Sequence, residues 1–224
     1  MVVYRHATEP TGGATPPDRS DISLFLDIGQ GAGLAGASGV RPYLPPLLAG
    51  ALARGDIGLD FDGTDFSFLE SSGFLLGLLG LAFAAYALDR RRAGAPDQAA
   101  GRPARRDPQT LFHGAMALAL GALLFAGSLA EGGHESWPGI IAGVASAALG
   151  YAAVATLFAR ARQRVDAGAA GLLSIYADGI ALALAALAIA LPPVGIAALL
   201  AFAVLLVRSR SGRDGKYEGL RILR

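Results

Sequence analysis

The chain has 224 residues, of which 53% are hydrophobic and only 17% are charged, and its mean hydropathy is +0.47. A soluble domain usually carries about 25% charged residues, so this balance indicates a membrane protein. The absence of cysteine excludes disulfides, thiolate metal sites and thiol redox chemistry. Among the 19 basic residues only Lys216 is a lysine, a usage typical of GC-rich bacterial genomes.

Both ends of the chain are polar. Residues 1–20 contain prolines and glycines but no apolar core behind a basic stretch, so they do not resemble a cleavable signal peptide. We expect a disordered cytoplasmic tail over 1–20. Residues 21–209 are expected to form a six-helix transmembrane domain, and residues 210–224 a cytoplasmic C-terminal tail.

Apolar segments follow one another through the middle of the chain. A spanning helix needs about 20 mostly apolar residues, and proline ends a helix, so Pro192 and Pro193 separate the last two segments. The predicted fold class is all-α, a polytopic membrane helix bundle with six spans and a first helix broken between Arg41 and Pro46. The expected spans are 22–53, 67–88, 110–130, 137–159, 172–191 and 194–207.

The charges of the loops predict the orientation. Six arginines follow the second segment and three follow the fourth. The loop after the first segment is acidic, and the loop after the third has no lysine or arginine. Because basic loops remain in the cytoplasm, we expect a bacterial inner-membrane protein with both termini cytoplasmic.

The first segment is too long for one upright helix. At 1.5 Å per residue, residues 22–53 would span roughly 48 Å, against a hydrocarbon core of about 30 Å. Either 31–53 crosses once with Arg41 near mid-membrane, or a helix enters, breaks between Gly39 and Pro46, and continues as a second short piece. Both geometries free backbone carbonyls, which is tolerated only beside protein or water.

This break supplies the candidate site. Broken helices at membrane depth often form substrate sites, so Arg41, Tyr43 and Gln30 are the candidate substrate-binding residues, with Arg41 for an anionic group. Asp27 and Asp178 have similar expected depths and are candidates for ion or proton coupling. The alternative is a proline kink with Arg41 reaching the interface and both aspartates at solvated helix ends.

Small residues recur at helical spacing in two segments. Such stripes let helix backbones approach closely in lipid. Internal packing of one bundle is the preferred interpretation, and a homo-oligomer is the alternative. The two stripes are Gly73, Gly77 and Gly80 in one segment, and Gly139, Gly143, Ser146 and Gly150 in another.

Signals of soluble-type catalysis are missing from the sequence. The three histidines are scattered, and no HExxH, GxSxG, Walker or dinucleotide-binding pattern occurs in its proper context. The acidic run after the first segment has its glycine and glutamate at the wrong positions for an EF-hand, so we interpret it as a solvated loop. We therefore expect no enzyme activity, no cofactor, no metal site and no nucleic-acid partner.

Two short stretches resemble a known family. Residues 39–45 (GVRPYLP), followed by a helix that ends at Arg54, resemble the first helix of an uncharacterised bacterial membrane family, domain of unknown function four-one-two-six. Residues 174–179 (SIYADG) are similar to its late helix, where the family tends to have an acidic pair and this chain has only Asp178. At the Arg41-Pro42 step the family tends to be uncharged. The resemblance implies a bacterial integral membrane protein and no particular activity.

These observations predict a small transporter or lipid-handling protein with a polar site at the broken first helix. The expected partners are membrane lipid and an anionic small molecule or lipid headgroup. A non-transporting membrane scaffold or assembly protein is the alternative. A closed, tightly packed bundle beside Arg41 would favour that alternative.

Overall fold

A computed structural model describes residues 19–93, 108–162 and 167–218. These residues form seven α-helices and no β-strand, so the all-α prediction is confirmed. The first described helix begins at Arg19 and the last ends at Glu218, and the division of the chain into two tails and a transmembrane domain stays a prediction. The helices are α1 (Arg19–Val40), α2 (Leu44–Ala53), α3 (Ser72–Ala93), α4 (Pro108–Glu131), α5 (Trp137–Arg162), α6 (Ala167–Ala190) and α7 (Pro193–Glu218), with a 3₁₀ turn (Ser67–Glu70) before α3.

The predicted break in the first segment is present and is shorter than expected. α1 ends just before Arg41, whose amide donates the last helical hydrogen bond, to the Ala37 carbonyl at 3.0 Å. Pro42 has no N–H with which to continue the ladder, so the helix ends here. Pro45 and Pro46 lie in the first turn of α2, where a helix needs no amide donors.

α1 and α2 form a hairpin whose tip is residues 41–43. Gln30, in the first turn of the buried part of α1, donates a hydrogen bond from Nε2 to the Gly58 carbonyl at 3.2 Å. Gly58 follows α2, so the chain returns after the tip to the end of the bundle from which α1 entered. Of the two geometries open to the first segment, the observed one is two short pieces joined at a break.

α1 is the centre of the bundle. Every residue from 29 to 40 is buried, because α4, α5, α6 and α7 all pack against this helix. Leu34 is 0% exposed and belongs to one apolar cluster with Leu124 of α4 and Ala188 of α6. The first helix in the sequence is thus enclosed by helices that follow it later in the chain.

Glycines let the backbone of α1 contact its neighbours directly. A Cβ on Gly150 of α5 would overlap the Gly36 carbonyl of α1, and a Cβ on Gly195 of α7 would overlap the Gly29 carbonyl. Such close approach is how helices associate where burial from water contributes little. The predicted stripe of α5 serves this internal packing, because its members Gly139, Gly143, Ser146 and Gly150 are all buried.

The second predicted stripe has no partner of this kind. Gly73, Gly77 and Gly80 of α3 face open space, with no atom within 4 Å of a Cβ placed on any of them. α3 contacts α2 and the 3₁₀ turn, and its Leu78 packs in a cluster with Tyr43. Subunit association through the open face of α3 stays a prediction.

The acidic segment between α2 and α3 is not the fully solvated loop that was expected. Leu59 and Phe61 are 2% and 0% exposed and belong to the main apolar cluster. Asp60 and Asp62 alternate with them and remain exposed. Gly127 of α4 leaves room for the Phe61 ring, 3.0 Å from where a Cβ would stand. The segment therefore covers one end of the bundle with apolar side chains and presents its carboxylates outward.

Three connections, 54–71, 132–136 and 191–192, meet at this end, which we call the loop end. Gly29 of α1 lies next to Pro192, and Asp27 lies next to Gly132. α1 therefore begins at the loop end. The alternation of basic and non-basic loops predicted that α1 starts at the opposite end, where α3 and α5 end before their arginine-rich segments. That placement is wrong, because the first segment turns back at residues 41–43 and does not cross the bundle.

Two helices are long and apolar enough to cross a membrane, Leu111–Glu131 within α4 and Trp137–Leu157 within α5. Their length and composition indicate membrane association. The six predicted spans are not confirmed, since the first segment forms the hairpin. The shorter apolar helices are Leu44–Ala53, Ser72–Leu88, Ile175–Ala190 and Pro193–Ser209.

We expect Gly150→Ala to lower the free energy of unfolding by about 1–3 kcal/mol, because overpacking forces backbone shifts. The new Cβ would occupy the space of the Gly36 carbonyl. The control is Gly77→Ala, whose Cβ meets no atom within 4 Å and which should stay within about 1 kcal/mol of wild type. Unfolding of the purified proteins in detergent measures both. Equal midpoints for the two variants would contradict backbone docking of α1 on α5.

Candidate functional site at the hairpin tip

An ion pair lies at the tip of the hairpin. Arg41 Nε is 2.5 Å from Oδ1 of Asp178, which lies in the middle of α6. At 1.5 Å per residue, Asp178 is roughly 18 Å from the end of α6 at Ala190, so the pair is deep in the bundle as measured from the loop end. The structure thus brings together two residues that the sequence analysis assigned to one site.

Tyr43 extends the polar character of the tip toward α4. Its ring meets the His113 ring edge-on, with centroids 6.0 Å apart and an interplanar angle of 70°. The Tyr151 ring of α5 lies at the same level, its Cζ being 3.7 Å from a Cβ placed on Gly114. We call Arg41, Tyr43, His113 and Asp178 the hairpin-tip cluster. It draws one or two polar side chains from each of the hairpin, α4 and α6.

The two charged members of this cluster are reachable. The side chains of Arg41 and Asp178 are 31% and 44% exposed, whereas Tyr43 is 7% exposed. The ion pair orients both side chains, and its partial exposure leaves them open to competition from another ion. An anion able to replace the Asp178 carboxylate could therefore reach the guanidinium. The arrangement suits recognition of a carboxylate or phosphate by arginine.

The structure does not bring Gln30 or Asp27 to the tip. Gln30 is 7% exposed and is bonded to Gly58 at the loop end, where it holds the two arms of the hairpin together. Asp27 and Arg41 are roughly 20 Å apart along α1. The equal depths expected for Asp27 and Asp178 depended on both spans starting at the same side, and α1 starts at the other side.

Asp27 belongs to a separate cluster at the loop end. Its Oδ2 is 3.4 Å from His134 Nε2 in the connection between α4 and α5. Glu131, at the end of α4, accepts a hydrogen bond from the Asp60 amide at 3.0 Å. These four residues, the loop-end cluster, connect the start of α1, the segment after α2 and the end of α4. Burial raises the pKa of Asp27 above its ordinary value, and the neighbouring His134 acts in the opposite direction.

Three carboxylates of the segment before α3 also lie close together. One oxygen each from Asp60, Asp62 and Glu70 falls within 4.8 Å of the others, and both aspartates are exposed. Desolvation of the carboxyl, and then the proximity of Asp62 and Asp60, raise the pKa of Glu70. The raised pKa reflects the repulsion that an ionised Glu70 would meet from the two aspartates.

Sequence reasoning missed His113, His134 and Glu131. It considered the histidines scattered, because it compared them with local motifs and not with helix ends. The positions of the histidines relative to the predicted helix could have indicated both sites. His113 lies in the second turn of α4, and His134 lies three residues beyond the end of α4. Because His113 and His134 lie at opposite ends of α4, each is beside a different end of the hairpin.

A cavity of about 420 Å³ lies at the loop end, away from Arg41. Leu24 and Ile28 of α1 form one wall, and Phe125 and Leu129 of α4 line it as well. This cavity is thus at the loop end, whereas the ion pair lies roughly 18 Å from that end along α6.

Stability should depend on pH through Asp27. A raised folded-state pKa gives stability that is complete below the ordinary value of 3.8 and is lost as pH rises through the folded value. We expect the thermal midpoint of the wild type to fall as pH rises above 3.8, and Asp27→Asn to reduce this fall. Because His134 lowers the pKa of Asp27, His134→Ala should move the fall of the midpoint to higher pH. Asp65→Asn, at an exposed position, is the matched control. A wild-type pH profile in Asp27→Asn would contradict this assignment.

Comparisons with known proteins do not assign this chain to a family. No family model, curated protein or solved structure matches it. The resemblance to domain of unknown function four-one-two-six therefore stays a prediction, and function has to be argued from the clusters described above.

Proposed function

We propose that the protein is embedded in a bacterial inner membrane, with α3 to α7 crossing it and the α1–α2 hairpin entering from the loop end. The large apolar side chains on the outer faces of the helices support this. Leu76 and Phe83 of α3 are 67% and 72% exposed, and Leu200 and Val204 of α7 are each 63% exposed. A soluble protein rarely exposes apolar surface of this extent, whereas lipid covers it without cost.

The arginine-rich segments support a direction. Those after α3 and α5 follow helix ends that lie opposite the loop end, and basic segments remain in the cytoplasm. The loop end, with its acidic residues, would then face the outside. This orientation keeps the expected cytoplasmic end of α7 but places the start of α1 outside.

Single cysteines in this cysteine-free chain test the orientation. We expect Ser20→Cys and Ser136→Cys to be labelled by an impermeant thiol reagent added to intact cells, and Gly94→Cys to be labelled only after lysis. Ser20 lies in the first turn of α1 and Ser136 directly precedes α5, so both belong to the loop end. Labelling of Ser136→Cys without Ser20→Cys would contradict the hairpin, and labelling of Gly94→Cys would contradict the direction.

For activity, we propose a small transporter or lipid-handling protein that binds an anionic group at the hairpin-tip cluster. The observation that carries this proposal is the partly exposed Arg41–Asp178 pair beside a broken helix in the middle of the bundle. Broken helices and intramembrane charges recur at substrate sites of transporters, because a charge in this position is expensive to keep. The ligand class is a carboxylate or phosphate, free or carried by a lipid.

The pairing suggests how binding would proceed. An incoming anion competes with the Asp178 carboxylate for Arg41. Once displaced, Asp178 needs a proton or a small cation as its new partner, because an unpaired carboxylate in the bundle is costly. Anion binding at Arg41 and cation binding at Asp178 would thus be coupled. In this proposal Tyr43 and His113 border the site, whereas Gln30 and Asp27 have no part in ligand contact.

A membrane scaffold is the second candidate, and two observations favour it. The cavity of about 420 Å³ is at the loop end and not beside Arg41. The charge of Arg41 is also paired with Asp178, as in an ion pair that only fixes the hairpin to α6. In a scaffold the ion pair would serve specificity of packing and would have no ligand.

Ligand-dependent thermal stabilisation separates the two candidates. The probes are a short-chain phosphate monoester, a short-chain carboxylate and detergent micelles containing phosphatidylglycerol. We expect at least one probe to raise the wild-type midpoint, Arg41→Lys to lose that rise because a point charge cannot replace a planar fork, and Asp178→Asn to bind more tightly. A response only to phosphatidylglycerol would identify a lipid headgroup as the ligand.

Two further variants complete the test. Arg54→Lys, at the exposed C-terminus of α2, is the matched control and should respond as wild type. The exchange Arg41→Asp with Asp178→Arg keeps an ion pair but moves the guanidinium to α6. Under the binding proposal it restores stability and not the ligand response. No response from wild type or Asp178→Asn to any probe would overturn the binding proposal and leave the scaffold.

A further inference from the structure

The cavity at the loop end is built as an apolar groove with polar groups at its mouth. Phe125 and Leu129 of α4 are 4% and 5% exposed and form its floor. Leu24 and Ile28, each 37% exposed, form the wall on α1. The volume of about 420 Å³ is within the range of small-molecule sites, roughly 300–1,000 Å³. The floor and walls suit a hydrocarbon chain.

The mouth carries side chains of a different kind. His134 and Glu135 line it, and Asp27 lies behind His134 at 3.4 Å. The indole N–H of Trp137 donates to Glu135 at 2.8 Å, which fixes the carboxylate beside the start of α5. A tryptophan at a helix end is typical of the membrane interface, so the mouth would lie at headgroup level.

The surroundings of the mouth are acidic. Glu131 and the four aspartates of residues 55–66 lie at the same end of the bundle. Arg54, a permanent cation at this end, is bonded through Nη1 to the Ser72 hydroxyl. The field at the mouth therefore favours a positively charged group.

We propose that this groove binds one lipid whose acyl chain lies on Phe125 and Leu129 and whose headgroup carries an ammonium with N–H donors. Glu135 accepts from the ammonium, and His134 donates to the headgroup phosphate. A primary ammonium can donate charge-assisted hydrogen bonds, which a quaternary ammonium cannot. Phosphatidylethanolamine has this chemistry, whereas phosphatidylcholine lacks the N–H groups and phosphatidylglycerol lacks the cation.

This inference rests on the proposed membrane embedding and is independent of the hairpin-tip site. Trp137 is the single tryptophan of the chain and adjoins the groove residue Pro138, so its fluorescence reports occupancy. The protein is reconstituted in vesicles in which one lipid at a time has brominated acyl chains. We expect brominated phosphatidylethanolamine to quench Trp137 more than the other two lipids do, because only its headgroup donates charge-assisted hydrogen bonds to Glu135.

Two variants and their controls decide the matter. Ala142→Leu fills the groove and should abolish the excess quenching, whereas Ala145→Leu, at an exposed position one turn further along α5, should not. Glu135→Gln should reduce the quenching by brominated phosphatidylethanolamine to the level seen with phosphatidylcholine. The control Asp65→Asn should leave the quenching by each lipid unchanged. Equal quenching by all three lipids, or excess quenching that survives Ala142→Leu, would overturn the groove site. Absence of quenching by any lipid would overturn the membrane embedding as well.

Discussion

The structure depends on direct contact between the backbone of α1 and the helices around it. Gly29 and Gly36 offer their carbonyls to α7 and α5 at positions where Gly195 and Gly150 have no side chain to intervene. In an apolar environment, association comes from packing and not from burial away from water. A central helix with ordinary side chains would hold its neighbours several ångströms further out, and the hairpin would no longer be enclosed.

The hairpin divides the ionisable groups of the protein between two ends. Arg41 and Asp178 meet at the tip, where their side chains are 31% and 44% exposed. Asp27 meets His134 at the loop end, where the side chains are 18% and 27% exposed. At the tip each charge compensates the other, whereas at the loop end burial acts on Asp27 against the neighbouring His134.

The sequence allowed the helices and the break to be predicted, but not the direction of the chain after the break. Proline at position 42 identifies where α1 ends, since its missing N–H is a local property. Whether the chain continues or turns back is decided by distant contacts, such as that of Gln30 with Gly58. The burial of Leu59 and Phe61 had a local signal, alternation with Asp60, which the charge of the segment obscured. The ion pair needed the fold, because residues 41 and 178 are far apart in sequence.

The enclosure of α1 has a consequence for how this protein is made. In synthesis α1 precedes the helices that surround it, α4 to α7. Until they are present, the glycine-rich arm has no surface on which to dock, and its freed carbonyls at the tip have no shelter from lipid. Sequence-distant contacts of this kind slow folding and expose partly assembled states. In the proposed membrane arrangement, the hairpin would therefore enter the bundle only after α4 to α7 are present.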